Sequence, residues 1–266
     1  MVYMIKQKIN RFIDNIPAIP KNVRECASFL EEGDLNKASI KASSDIAFVR
    51  YLVNMINKPI FGFRNKVKDV SQIFGILGVK RASQVVNAYY ATLIFPKKWK
   101  VFKMNNSDFQ LLQSMLIHNW NKILDFTKYN HIHIASVISL LPASLIVCEA
   151  LFEDNVDDIK LLKEYQNISY DEILYKMSGL RLFDIFIQIC KKWELNDESM
   201  ELVEYLSQKK EDNTILSKLA KYLHLLIFFE LSKPVFVQAG INDFIEFDVE
   251  FVQDVYDNFL KIEEVK

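Results

Sequence analysis

The segment SDIAFVRYLVNMIN, Ser44 to Asn57, suits one regular structure. Ile46, Val49, Leu52, Val53 and Ile56 recur with the period of a single helix face, and Asp45 stands where a carboxylate accepts from the first free amides of a helix. The same amphipathic spacing returns in VRECASFLEE from Val23, in DVSQIFGIL from Asp69, and in VKRASQVVNAYYATLIF from Val79. Gly78 separates the last two. A left-handed glycine there is expected to end one helix and let the next begin, so Gly78→Val should be far more damaging than Lys98→Ala.

Helical periodicity continues through LLQSMLIHNWNKILDFTKY, HIASVISLLPASLIVCEALF and five further stretches that end in FIEFDVEFVQDVYDNFLKIEE. Only 6 glycines occur in 266 residues, too few for the Gly-rich turns that β-sandwiches and phosphate-binding α/β folds consume. The chain is therefore expected to be all-α, a two-lobe helical bundle. Between the lobes lies FPKKWKVFKMNNSD, from Phe95 to Asp108, read as a hinge, a solvated linker whose aromatics pack on both lobes, that ends in a helix start at Ser107-Asp108.

Charge and cysteine usage restrict function. A net charge of -1 gives no field to gather phosphates, and Lys97, Lys98, Lys100 and Lys103, interleaved with Phe95, Trp99 and Phe102, are read as linker residues; nucleic acid is not an expected partner. Cys26, Cys148 and Cys190 are far apart and set among apolar residues, as reduced cysteines used for packing are, which fits the cytoplasm. AYYATLIF and LLIFF are taken as the longest apolar runs, well short of the roughly 20 residues of a membrane span. No leader pattern opens the chain, and neither secretion nor a membrane is expected.

In order and spacing, IPAIPKNV, SDIAFVRYLVNMIN, PIFGF and DVSQIFGILGVKRASQVV resemble the HDOD family. Pro17, Pro20, Asp45, Asn57, Phe61, Gly62, Leu77 and Gly78 match its pattern, while Ile46 and Lys58 replace a usual proline and serine and Asn196 replaces a later proline. The resemblance implies an HD-like helical fold, related to HD phosphohydrolases and common in bacterial signalling and regulatory proteins. It divides the chain into an N-terminal helix at 1–15, an HDOD domain at 16–212 and a C-terminal helical extension at 213–266. Within the domain a front lobe at about 16–100 would precede an HD-like lobe at about 105–212.

A catalytic HD site gathers several imidazole and carboxylate ligands on a metal that makes hydroxide near neutral pH. His118 stands near the expected first histidine, but Ser139-Leu140 stands where the His-Asp pair would be, and one imidazole makes no chelate. His131 and His133, two residues apart, point to opposite sides of a helix. No glycine-rich phosphate loop or nucleophile elbow occurs. The expectation is no metal, no cofactor and no catalysis: a module that binds a signalling or regulatory protein, or a small nucleotide ligand. The alternative is a divergent phosphohydrolase for a nucleotide or cyclic dinucleotide, with His118, Asp125 and Glu149 as ligands.

The loop NKPIFGFRNK, Asn57 to Lys66, supplies candidate partner-binding residues Phe61, Phe63 and Arg64, because aromatics and arginine on a loop shaped by proline and glycine suit an interaction hot spot. Phe61, as a matching position, is expected to serve packing, so that Phe61→Ala costs roughly 3–5 kcal/mol.

Overall fold

The structure, a computed structural model, describes residues 2–210 and 212–264, and among these there is no strand. The chain begins with α1 (Val2–Asp14), α2 (Lys21–Glu31), α3 (Leu35–Ser43), α4 (Ile46–Ile56) and α5 (Val70–Tyr90). Next come α6 (Asn106–Thr127), α7 (Ile132–Leu140), α8 (Ala143–Phe152), α9 (Val156–Gln166) and α10 (Tyr170–Ser178). The remainder forms α11 (Leu182–Lys192), α12 (Asp197–Leu206), α13 (Ile215–Leu231), α14 (Pro234–Ala239) and α15 (Val249–Glu264).

Short polar side chains set many of the starts. Asp45 accepts from the amides of Ala47 and Phe48, Asp34 from Lys37, Asp69 from Gln72, Asn196 from Ser199 and Thr214 from Ser217, each satisfying amides that a first helical turn leaves without partners. Those bonds hold the Asp45 carboxyl below the usual range, the bond from the Phe48 amide first. At α6 the expected Ser107 start moves two residues earlier: Asn105 accepts from the amides of Ser107 and Asp108, and Asp108 accepts in return from the Asn105 amide.

Two compact units partition the chain, and they do not follow the expected lobes. A front unit comprises Pro17–Ile94 with Gln110–Leu140; a back unit comprises residues up to Ile16, Phe95–Phe109 and those from Leu141 on. Most of α6 and all of α7 therefore belong with the early helices, because α7 packs along α5 beside α2, α3 and α4. Phe48, Tyr51 and Tyr89 interlock in the front core, with ring centroids 4.7 and 5.2 Å from Tyr89. Gly78 does not end a helix in the left-handed region. Its φ of 68° and ψ of 172° interrupt α5 with a positive-φ, extended residue, a conformation open in practice to glycine alone.

In the back unit α1 packs on α8, α10 and α11, so the N-terminal helix is part of that core. The expected C-terminal extension is likewise continuous with the region before it: α13 packs on α12 and α15. The stretch read as a hinge packs its aromatics as expected, but it belongs to the back unit and is no linker. Trp99, Phe102 and Met104 are buried, and the Phe102 ring meets those of Tyr170, Phe244 and Phe152 at 5.4, 5.6 and 6.3 Å. Fully buried Glu149 on α8 accepts from three successive amides: Lys100, Val101 at 2.9 Å and Phe102 at 3.0 Å. Three converging N–H dipoles make a nest that offsets the desolvation of one carboxylate.

The longest apolar stretch is also longer than expected. Ile132–Lys163 is long and apolar enough by composition to cross a membrane, but 94% of its apolar window is buried within the protein, and Pro142 caps α8 just after α7 ends.

Candidate functional site

The position where a metal pair would stand lies in the front unit at the end of α7. Ser139 is fully buried, its Oγ has no hydrogen-bond partner, and Leu140 is buried beside it. A polar network joins the surrounding helices through their backbones. Gln113 on α6 donates to Ala88 O on α5 at 2.9 Å and to Ser139 O at 3.5 Å, and accepts from the Tyr51 hydroxyl at 3.4 Å. One turn earlier on α5, Gln84 donates to Ala135 O at 2.8 Å and accepts from Asn121 at 2.7 Å. Trp120 donates to Ile134 O at 3.2 Å. Neutral amides thus occupy the space among these helices, and amides bind carbonyls well and metal ions of this class poorly.

His118 is half-buried on α6 in this unit. Asp125, seven residues on, is mostly exposed and forms an ion pair with Lys80 at 3.1 Å, while Glu149 serves the amide nest of the back unit. His131 stacks on Tyr129 with ring centroids 5.1 Å apart, and His133 Nδ1 lies 3.9 Å from a Glu31 carboxylate oxygen. Among the described residues no three His, Cys, Asp or Glu side chains converge in a way that could hold a metal ion. The three cysteines are buried free thiols; burial pushes Cys26 up to about 12 and raises Cys148 and Cys190 as well, which removes them as nucleophiles.

The loop after α4 is pinned by one side chain. Asn57 donates to Val53 O at 2.7 Å and to Val67 O at 2.8 Å, and accepts from the Val67 amide at 2.9 Å, closing a ten-residue excursion with a two-way bridge. Inside it Pro59–Phe61 form one 3₁₀ turn, which Gly62 ends at φ 69°. Phe63 is 38% exposed and Arg64 is exposed. Phe61 is half-buried, less enclosed than its match to the family pattern implied, so the cost of Phe61→Ala falls to about 1–2 kcal/mol. The bridging role of Asn57 was not readable in advance, because its partner lies ten residues away across a proline-containing loop.

Helices alone among the described residues, two compact units, a network of buried amides and a pinned aromatic loop define a class: an all-α domain. The chain belongs to the HDOD domain family, which matches residues 16–209. No curated protein sequence matches it. Solved structures share its fold, three of them as follows. An HDOD domain protein of unknown function from Geobacter sulfurreducens is 14% identical, with a TM-score of 0.59 over 98% of this chain and 95% of that one. A protein from Marinobacter aquaeolei VT8, provisionally assigned to signal transduction, is 14% identical with a TM-score of 0.61, over 97% of this chain and 63% of that one. A third, from Shewanella amazonensis SB2B and provisionally called a metal-dependent phosphohydrolase, is 11% identical with a TM-score of 0.51, over 91% of this chain and 97% of that one.

Proposed function

We propose that this chain is a non-catalytic regulatory module of bacterial signal transduction, acting in the cytoplasm by binding a signalling or regulatory protein, or a small signalling ligand, through the loop at Phe63 and Arg64. The observation that carries the reading is the Asn57 bridge: it fixes a loop whose aromatic and guanidinium side chains face solvent, so that little conformational entropy is lost on docking. The engagement of Asp125 by Lys80 and of Glu149 by backbone amides supports the absence of catalysis, since both would have to abandon those partners to ligate a metal.

Quantitative affinity capture from native lysate tests the reading. The Phe63→Ala/Arg64→Ala variant should lose the partner recovered by the unaltered chain while its stability changes by less than about 0.5 kcal/mol. Retention of the partner would move the binding surface off the loop. Turnover of bis(4-nitrophenyl) phosphate by Mn-loaded protein, abolished in His118→Ala, would replace the module with the phosphohydrolase alternative.

A further inference from the structure

Charge is unevenly divided along this chain. The front unit, Pro17–Ile94 with Gln110–Leu140, holds 13 Lys and Arg against 7 Asp and Glu, whereas the remainder holds 20 against 27. A whole-chain charge near zero therefore conceals a cationic unit. Several of its cations are already answered by carboxylates: Lys21 and Lys41 by Glu25, Lys37 by Asp34 and Lys80 by Asp125.

The loop after α4 concentrates the unanswered ones. From Asn57 to Lys68 it has four cationic residues, Lys58, Arg64, Lys66 and Lys68, and no acidic one. Asp69, which follows, is taken up by the Gln72 amide and the Ser71 hydroxyl. Arg64, Lys66 and Lys68 are exposed, and none of them meets a carboxylate among the described residues. Val67 is 4% exposed, and the Asn57 side chain holds both its amide and its carbonyl. Lys66 and Lys68, on either side of it, are thereby fixed in backbone position with their side chains in solvent, close in sequence to Arg64 and the exposed ring of Phe63.

A carboxylate-rich segment gains three charge pairs here, and Arg64 offers the planar fork that takes a carboxylate through two N–H bonds. Phe63 adds an apolar face for one anchoring side chain. A phosphate backbone fits less well, because one exposed aromatic gives no ladder for stacking bases and three cations on a short loop make no groove for a strand. A second copy of this chain would bring an anionic back unit, but many of its carboxylates, among them Glu153, Asp154, Asp171, Asp184 and Asp243, are already paired with its own cations.

We infer that the loop receives an acidic segment of a partner protein, its carboxylates on Arg64, Lys66 and Lys68 and an apolar side chain on Phe63. This partner chemistry rests on the loop-binding reading and specifies it.

The test follows the fluorescence anisotropy of two labelled synthetic peptides titrated with the full chain: one with a Phe-Leu pair flanked on both sides by Glu and Asp, and its twin with Gln and Asn at those positions. The acidic peptide is expected to bind about tenfold tighter than its twin, with an affinity that falls as salt rises. Lys66→Gln/Lys68→Gln, at two exposed positions, should weaken it about fivefold with an unchanged urea midpoint. Lys97→Gln/Lys98→Gln, the same loss of charge at exposed positions of the back unit, should leave the affinity unaltered. Equal binding of the two peptides, equal weakening by both lysine pairs, or tighter binding of a single-stranded oligonucleotide or of phosphatidylserine vesicles would each overturn the acidic partner. So would concentration-dependent self-association that Lys66→Gln/Lys68→Gln abolishes. Capture from lysate separates the two readings: a partner lost in Phe63→Ala/Arg64→Ala but kept in Lys66→Gln/Lys68→Gln with the same salt dependence leaves the loop standing and removes the acidic chemistry, and a partner kept by both variants removes the loop as well.

Discussion

Ser139 at the end of α7 and His224 on α13 each keep a buried polar atom with no partner, yet the two surroundings differ in kind. Ser139 lies in a helix whose residues from Ile134 to Leu140 are all buried, next to carbonyls already claimed by Gln113 and Gln84. His224 borders open volume lined with charge. In both settings the orphaned atom is a cost that the packing tolerates, but only the second stands among ionisable side chains.

Experiments that separate consumed polar groups from open ones sharpen this contrast. The largest effect is expected at Glu149, the most thoroughly consumed. Glu149→Ala leaves three amides, that of Phe102 buried, without their acceptor and should lower the unfolding free energy by about 3 kcal/mol in urea titration; a stability near that of the unaltered chain would make Glu149 available again as a ligand. Gln113→Leu comes next, at up to about 3 kcal/mol, because Ala88 O and the Tyr51 hydroxyl lose their shared partner in a closed core. A change below about 0.5 kcal/mol would mean that water already serves those groups and that the Ser139 region is open.

His224 predicts a pH dependence of smaller size. The folded chain holds its imidazole below the ordinary value of about 6.5, so as pH falls below that point the unfolded chain takes up a proton first. Above it both states are neutral and the term vanishes. Stability should therefore drop by about 1 kcal/mol between pH 7 and pH 5 relative to His224→Phe, and parallel pH profiles for the two proteins would refute a neutral buried ring. The smallest effect belongs to Ser139→Ala, expected to stabilise by up to about 1 kcal/mol through removal of an unpaired hydroxyl. A loss of that size instead would show that the hydroxyl has a partner after all.

Local signals in the sequence carried far. Asp45, Asp69 and the break at Gly78 are readable because a cap or a positive φ is decided within four residues of chain, and the apolar faces of α4 and α5 follow from period alone. The positive φ at Gly78 was legible, but its extended ψ was not, since that depends on where the second half of α5 must go. The partition into units was not legible, because it rests on α7 packing along α5, a pairing some fifty residues apart with no local mark. The packing of the aromatics of segment 95–109 was legible, but its role was not: lysines and a proline look like a linker until the carboxylate of Glu149, far along the chain, is seen to hold its amides. His224 sits in a run, YLHLLIFF, where a lone histidine signals nothing, and only the backbone oxygen of Glu246 reveals which of its nitrogens is left over.

The interleaving of the two units has a consequence for synthesis. All of the front unit has been made once residue 140 has left the ribosome, and it can close on itself while the chain is still growing. The partners of α1 on α8, α10 and α11 are translated more than a hundred residues after it. Through that interval Ile9 and Ile13, destined for the core, have nowhere to go. A chaperone that holds this protein during translation would accordingly be expected to grip α1 until α8, α10 and α11 have been made.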